Sequence, residues 1–274
     1  MNLNTLAKNR RAILRDFLEE KRRCVAAAGP HAQRTFAIPP SANHARWARF
    51  LDLLRIQGIE VSVADAAFTA SGVDRLGLAR TDHAFPAGTL LISNRQPQAR
   101  LVSTLMEFDP RMSTEFLVEE RRELLRFNRS RMYDITGWSA TMFFDFECLT
   151  LEGAPPPAAR PAGQPQVPTR TGRIEGSTTT VGFAIDGADD ATVVAAGRLM
   201  ERGLQVRVAD RPFAFDGKQF ARGSLVVTRK DNTAFRGDLV RELTEVVQGT
   251  GVTATGLVSG MGPGDLPDLG GQHF

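Results

Sequence analysis

The chain of 274 residues is long enough for about two domains, and its 42% hydrophobic and 24% charged residues are typical of a globular protein. It has no run of eighteen apolar residues and no apolar stretch behind its charged N-terminus, so we expect neither a membrane-spanning helix nor a secretory signal. Two cysteines exclude a disulfide framework and a Cys-based zinc ribbon, and a net charge of +3, with acidic residues interleaved among the arginines, argues against nucleic-acid binding.

The first predicted element is an amphipathic helix over residues 5–28. Its apolar side chains recur at helical spacing with charged residues opposite them, and Gly29 and Pro30 end it. The apolar stripe consists of Leu6, Ile13, Leu14, Phe17 and Leu18.

An internal repeat is the most informative pattern in the chain. Phe36-Ala37-Ile38, a helical stretch and the segment 58–64 have counterparts in Phe183-Ala184-Ile185, a second helical stretch and the segment 203–209. FPAGTLLIS at 85–93 then matches FARGSLVVT at 220–228, and a final helix follows in each copy. Phe68 and Phe213 occupy matching positions, and the first copy carries a ten-residue insertion. Each copy therefore predicts a β-α-β unit with parallel strands, a glycine C-cap after its first helix, and a further strand and helix.

A helical connector and a proline-rich segment separate the two copies. Residues 113–129 predict a helix capped by Ser113, and the stretch 153–170 contains six prolines and no acidic residue, which is typical of an extended spacer. The predicted fold is thus α/β, with two tandem repeated units joined by a helical segment and a Pro-rich linker. The expected domains are 1–152 and 177–274, with the linker at 153–176. The second domain ends in a Gly-rich tail at 260–274. If the chain is a fragment, we expect this tail and the N-terminal helix to be poorly anchored, because their neighbours are missing.

Residues with the chemistry of an active site are few and scattered. The histidines His31, His44, His83 and His273 have no carboxylate at a metal-ligand spacing. Asp265, Asp268 and His273 are a weak alternative metal set on the tail. We expect Cys24 and Cys148 to be inert, since the acidic neighbours of Cys148 raise its thiol pKa. Tyr133, Asp134 and Trp138 are either a ligand-facing edge or the capped start of a helix, with Asp134 or Thr136 as the cap, and we favour the cap. We predict no catalytic, cofactor-binding or metal-binding residue.

The tracts FPAGTLLISNRQPQARLVSTLME, RMYDITGWS and VRVADRPFAFDGKQFARGSLVVT resemble the zinc metallocarboxypeptidase family, in its long bacterial multidomain branch. The resemblance covers most of residues 5–274 and implies a position downstream of the catalytic domain. It implies a parent enzyme that removes C-terminal residues from peptides with a bound zinc and is exported. The family's H-x-x-E zinc motif has no counterpart here, and Ala140-Thr141 stands where Leu-Pro usually follows the Trp-Ser pair.

Two functions follow as hypotheses. The first is a noncatalytic accessory region, a fragment that is inactive alone and whose partner is the missing catalytic domain; zinc is then expected only in that domain. The second is a freestanding α/β module that binds a peptide or small ligand. Both predict no nucleic-acid and no membrane partner, and the chain as written would remain cytoplasmic.

Overall fold

The computed structural model describes residues 3–28, 32–108, 112–132, 139–152, 159–160, 163–176, 180–215, 217–263, 267–271 and 274. The chain forms two compact units. Unit 1 comprises residues 1–40 and 50–166, and unit 2 comprises residues 41–49 and 167–274. Both units combine helices with a sheet, which confirms the α/β class.

Unit 1 contains a six-stranded sheet. Its strand order is β2-β5-β1-β6-β3-β4, and every neighbouring pair is antiparallel. Residues 44–49 of α2 belong to unit 2 and the rest of α2 to unit 1. In chain order the elements are α1 (Leu3–Val25), β1 (Arg34–Ile38), α2 (His44–Ile56), β2 (Ser62–Val63), β3 (Phe68–Asp74), β4 (Ala79–Phe85), β5 (Leu90–Ser93), α3 (Ala99–Met106), α4 (Thr114–Phe127), α5 (Ala140–Phe143) and β6 (Leu149–Glu152).

Unit 2 contains a five-stranded sheet and a separate two-stranded hairpin, β10-β11. The strand order of the larger sheet is β7-β13-β8-β12-β9, in which β7 pairs parallel with β13 and the other pairs are antiparallel. The elements are β7 (Arg173–Glu175), β8 (Gly182–Ile185), α6 (Ala191–Glu201), β9 (Arg207–Val208), β10 (Phe213–Phe215), β11 (Lys218–Phe220), β12 (Leu225–Thr228), α7 (Leu239–Thr250) and β13 (Thr253–Leu257).

The two sheets share a four-stranded arrangement and its register. The order β2-β5-β1-β6 in unit 1 corresponds to β9-β12-β8-β13 in unit 2. Phe36 lies opposite Ile92 in unit 1, as Phe183 lies opposite Val227 in unit 2. These pairs occupy matching positions of the two sequence copies. That the two units are tandem repeats of each other stays a prediction.

The predicted ten-residue insertion lengthens one hairpin. Phe68 and Phe85 stack with ring centroids 4.8 Å apart, and Phe213 and Phe220 stack at 4.9 Å in the shorter hairpin. The longer hairpin of unit 1, β3-β4, continues past its stacked rings and adds β3 to the sheet beside β6. The stacked pair therefore marks the common base of the two hairpins.

A buried amide closes the loop that follows α2 and, in unit 2, the loop that follows α6. The Gln96 side chain accepts the Glu60 N–H at 2.8 Å and donates to the Glu60 carbonyl at 3.0 Å. In unit 2, Asn232 does the same to Gln205, at 2.7 and 3.0 Å. Each amide thus satisfies a backbone donor and acceptor that the short strands β2 and β9 leave without a ladder partner.

The strand arrangement differs from the predicted β-α-β unit. β1 and β2 both run antiparallel to β5, which lies between them, so the two strands joined by α2 are parallel but do not touch. The segments 60–64 and 205–209 also contain only two ladder residues each, and Val208 is 55% exposed rather than buried. The predicted glycine C-caps are confirmed, since Gly58 and Gly203 have φ of 68° and 82°.

Parts of the predicted linker and tail pack against the units. Ala159 and Gly163 form isolated β-bridges with Ala64 and Val61, and Arg173–Glu175 is strand β7. In the tail, Leu269 is buried among the phenylalanines of the unit 2 hairpin, so the expectation of a poorly anchored tail is wrong for its described residues. Hydrophobic packing anchors the tail, because Leu269 and Phe274 pack against the phenylalanines of the hairpin. The Gly and Pro content of the tail gave no indication of this packing.

Two helices of unit 1 expose their apolar sides. No residue of α1 is buried, and Leu14 and Phe17 are 60% and 56% exposed. α4 begins after Ser113, whose hydroxyl accepts the Phe116 N–H as predicted, and it buries only Glu120. The expected helix start at Tyr133, Asp134, Thr136 and Trp138 lies outside the described residues; α5 begins at Ala140.

Candidate functional site

Several polar side chains surround a cavity in unit 2 where β8 ends and α6 begins. We call it the β8 pocket; its volume is about 280 Å³. Functional side chains often occupy such strand-to-helix loops because the flanking elements hold them rigidly. The lining residues are Ala42, His44, Arg170, Ile185, Asp186, Ala188, Asp189, Thr192, Val252 and Thr253.

Asp186 shapes the turn that leaves β8. Its Oδ1 accepts the N–H groups of Ala188 at 3.2 Å and Ala221 at 3.1 Å, and the Ser224 hydroxyl lies 3.4 Å away. The Thr192 hydroxyl donates to the Asp186 carbonyl at 2.6 Å. All described contacts of the Asp186 carboxylate fall on this one oxygen, so Oδ2 has no described partner.

Asp189 binds the first N–H groups of two helices. Its Oδ1 accepts from Ala191 at 3.0 Å and from Ala45 at 3.2 Å, and its Oδ2 accepts the His44 N–H at 3.1 Å. Three backbone donors therefore compensate the Asp189 charge, which the positive ends of α6 and α2 also favour.

Asn43 and Asp190 complete the connection between these helix starts. Asn43 Oδ1 accepts from the Arg46 and Asp190 N–H groups, while Arg46 donates two hydrogen bonds to the Asp190 carboxylate, at 3.0 and 2.8 Å. The Arg46 hydrogen bonds lower the pKa of Asp190 below its ordinary value. This network holds the pocket wall at neutral pH with both partners charged.

His44 and Arg170 are the remaining ionisable side chains of the wall. Burial lowers the pKa of His44, the positive charge of Arg170 lowers it further, and Asp189 opposes these effects. The imidazole is therefore neutral near pH 7. An Arg170 guanidinium nitrogen lies 3.8 Å from Asp189, too far for a hydrogen bond, so its donors remain available among the described contacts.

A second cavity, of about 510 Å³, lies in unit 1 beside the long hairpin. The Asp74 carboxylate accepts the Leu78 and Leu76 N–H groups and pairs with Arg80. The hydrogen bond from Leu78, together with those from Leu76 and Arg80, lowers the pKa of Asp74. His83 Nε2 lies 3.4 Å from Glu147. These charged groups stabilise the hairpin turn and its contact with β6, and each already has a partner.

The sequence candidates that the structure describes are divided between the units. His44 lies in unit 2 and His83 in unit 1, while Asp268 accepts the Gly262 N–H at 2.6 Å in a turn. Among the described residues, no three His, Cys, Asp or Glu side chains form a group that could hold a metal. The positions of His31, Asp265, His273, Tyr133, Asp134 and Trp138 lie outside the described residues.

The two cysteines have different environments. Burial raises the pKa of the Cys148 thiol to about 12, and the charge of Glu147 adds to this effect. The prediction of a raised pKa is confirmed, with burial rather than the acidic neighbours as the main cause. Cys24 lies on α1 with its sulfur 3.8 Å from Glu20.

Sequence reasoning missed the β8 pocket. Asp186 and Asp189 directly follow the buried strand Phe183-Ala184-Ile185, which is a usable signal because loops after buried strands commonly hold ligand-binding side chains. Arg170 gave no signal, since it stands in the Pro-rich stretch. His44 was considered only as a metal ligand.

Comparison of the chain with protein-family models, with curated proteins and with solved structures finds no match. No helix in the described part of the chain is long and apolar enough to cross a membrane.

Proposed function

We propose that this chain is a noncatalytic accessory module that docks onto the catalytic domain of a zinc metallocarboxypeptidase-like protein. The observation that carries the proposal is the apolar side of α1. This 23-residue helix has no buried residue, yet it aligns large apolar side chains along one side. A continuous row of exposed, large apolar side chains is typical of a protein interface.

The way α1 is attached supports docking through its apolar side. Lys21 Nζ donates to the Pro97 carbonyl at 2.8 Å and to Gln98 at 3.0 Å, Glu20 pairs with Arg100, and Arg95 donates to the Val25 carbonyl. These polar contacts fix the C-terminal end of α1 to the rest of unit 1. The apolar residues nearer its N-terminus keep their exposure and are available to a partner.

The polar groups of the described pockets support an accessory role. Asp74, Asp189 and Asp190 are engaged by backbone N–H groups or arginines that fix turns and helix starts. The peptidase nature of the partner is supported by the sequence resemblance alone.

A photo-crosslinking experiment tests the proposal. A benzophenone amino acid placed at Leu14, on the apolar side of α1, is compared in the source cells with one at Glu19, on the opposite side. Crosslinking from position 14 is expected to join α1 to a polypeptide that contains an H-x-x-E zinc motif. That polypeptide is either a second protein or another part of one longer chain. Equal yields from both positions, or crosslinks only to a second copy of this chain, would contradict the proposal.

A matched pair of variants completes this test. Ile13→Glu with Phe17→Glu should abolish the species crosslinked from position 14 and leave the circular dichroism spectrum unchanged, because no residue of α1 is buried. Arg15→Glu, on the charged side, should leave the complex intact.

A second function, binding of a small ligand by the chain itself, is favoured by the β8 pocket.

A further inference from the structure

The charges that line the β8 pocket fall into two classes. The Asp189 carboxylate accepts three backbone N–H groups at 3.0–3.2 Å, so its charge is compensated within the protein. The Asp186 Oδ2 accepts no described hydrogen bond, and the Arg170 guanidinium pairs with Asp189 only at 3.8 Å; both side chains are exposed to solvent. One negative and one positive group thus remain to meet a ligand.

The cavity is large enough for a small ligand. It opens to solvent, and its volume of about 280 Å³ suffices for one amino acid. The accessible apolar part of the lining is the exposed pair Ala42 and Ala188, while Ile185 and Val252 are only 1% and 4% exposed. The two alanine methyl groups suit an aliphatic group.

We propose that the β8 pocket binds a free aliphatic amino acid, whose carboxylate pairs with Arg170 and whose ammonium pairs with Asp186. The guanidinium offers a fork of donors that matches a carboxylate. His44 is neutral near pH 7 and adds no second positive charge that would favour a simple anion. The proposal is independent of docking through α1, since the pocket and that helix lie in different units.

Isothermal titration calorimetry of the whole purified chain tests this inference with three probes of similar shape. Leucine carries both charges, 4-methylpentanoate only the carboxylate and 3-methylbutylamine only the ammonium. Leucine is expected to bind at least about tenfold more tightly than either analogue, because each analogue leaves one charged group of the pocket without its partner. Failure of leucine to bind at millimolar concentration, or equal binding of 4-methylpentanoate, would overturn the proposal.

Substitutions locate the site. Arg170→Gln and Asp186→Asn should each reduce leucine binding about tenfold or more, while Arg211→Gln, an exposed arginine outside the pocket, should not change it. Asn at position 186 keeps an oxygen for the Ala188 and Ala221 N–H groups. If Arg170→Gln lowers the melting temperature, Arg170→Lys serves in its place, and unchanged leucine binding by a folded variant at position 170 would disprove the assignment.

Discussion

His44 couples the β8 pocket to pH. Burial and the Arg170 charge hold its pKa below the ordinary value of 6.5, with Asp189 opposing. Below about pH 6.5 the unfolded chain therefore binds a proton that the folded chain does not, and stability is lost as pH falls towards the folded pKa. We expect His44→Gln to flatten the fall in urea midpoint between about pH 7 and about pH 5.

The control for this prediction is His83→Gln, which should retain the steeper profile because it leaves the His44 environment unchanged. The carboxylates with lowered pKa, such as Asp190 and Glu120, lose their stabilising contribution below their ordinary values of 3.8 and 4.5, a lower range of pH. A His44→Gln profile parallel to that of the native chain would contradict the assignment.

At the scale of single residues, the sequence predicted local conformations better than the site. Ser113 as a cap, and Gly58 and Gly203 as left-handed C-caps, follow from neighbouring residues alone. The β8 pocket depends on Arg170 and Asp186 lining the same cavity, although they stand in different segments of the chain. No local pattern could place them together.

At the scale of elements, the attachment of β7 depends on a glycine. A Cβ on Gly172 would lie 1.8 Å from the Val247 carbonyl oxygen and 2.3 Å from that of Val252, both backbone atoms that cannot move aside independently. Gly172→Ala should therefore destabilise unit 2 by about 3 kcal/mol, at the upper end of overpacking costs, and detach β7 from β13. Chemical denaturation and hydrogen exchange of Arg173–Glu175 measure the two effects.

Gly197→Ala is the matched control. Gly197 lies within α6 in the same unit, and a Cβ there would meet no atom within 4 Å. Alanine in a helix should leave stability unchanged or raise it by about 0.5–1 kcal/mol. If both substitutions lowered the free energy of unfolding equally, the close approach of backbone atoms at Gly172 would not be the cause of the destabilisation.

The same scale shows what strand patterns can and cannot reveal. Phe36-Ala37-Ile38 and Phe183-Ala184-Ile185 were predicted as buried strands, and the structure confirms them. The position of β5 between β1 and β2 was not predicted, because alternating side chains report which residues are buried and not which strand pairs with which. The linker was misjudged because its proline content concealed β7, where Arg173 and Glu175 flank a single apolar residue.

At the scale of the whole molecule, the division between units does not follow the chain. Residues 41–49 belong to unit 2, although the residues on both sides of them belong to unit 1, so α2 contributes to both. Periodicity predicts one helix here and carries no information on which unit each turn joins. The proposed sites are likewise distributed, with the α1 surface in unit 1 and the β8 pocket in unit 2.

Each unit nevertheless has its own buried cluster, which predicts separable stabilities. Leu54 at the end of α2 and Leu199 in α6 occupy matching positions, each fully buried, and their carbonyls accept the Ile59 and Leu204 N–H groups. Truncation to alanine should cost about 2–5 kcal/mol in either case. Leu54→Ala should speed hydrogen exchange in β1 and β5 and leave β8 and β12 protected, while Leu199→Ala should do the reverse. If each substitution accelerated exchange in both sheets to the same extent, the chain would unfold as a single cooperative unit and the stabilities of the two units would not be separable.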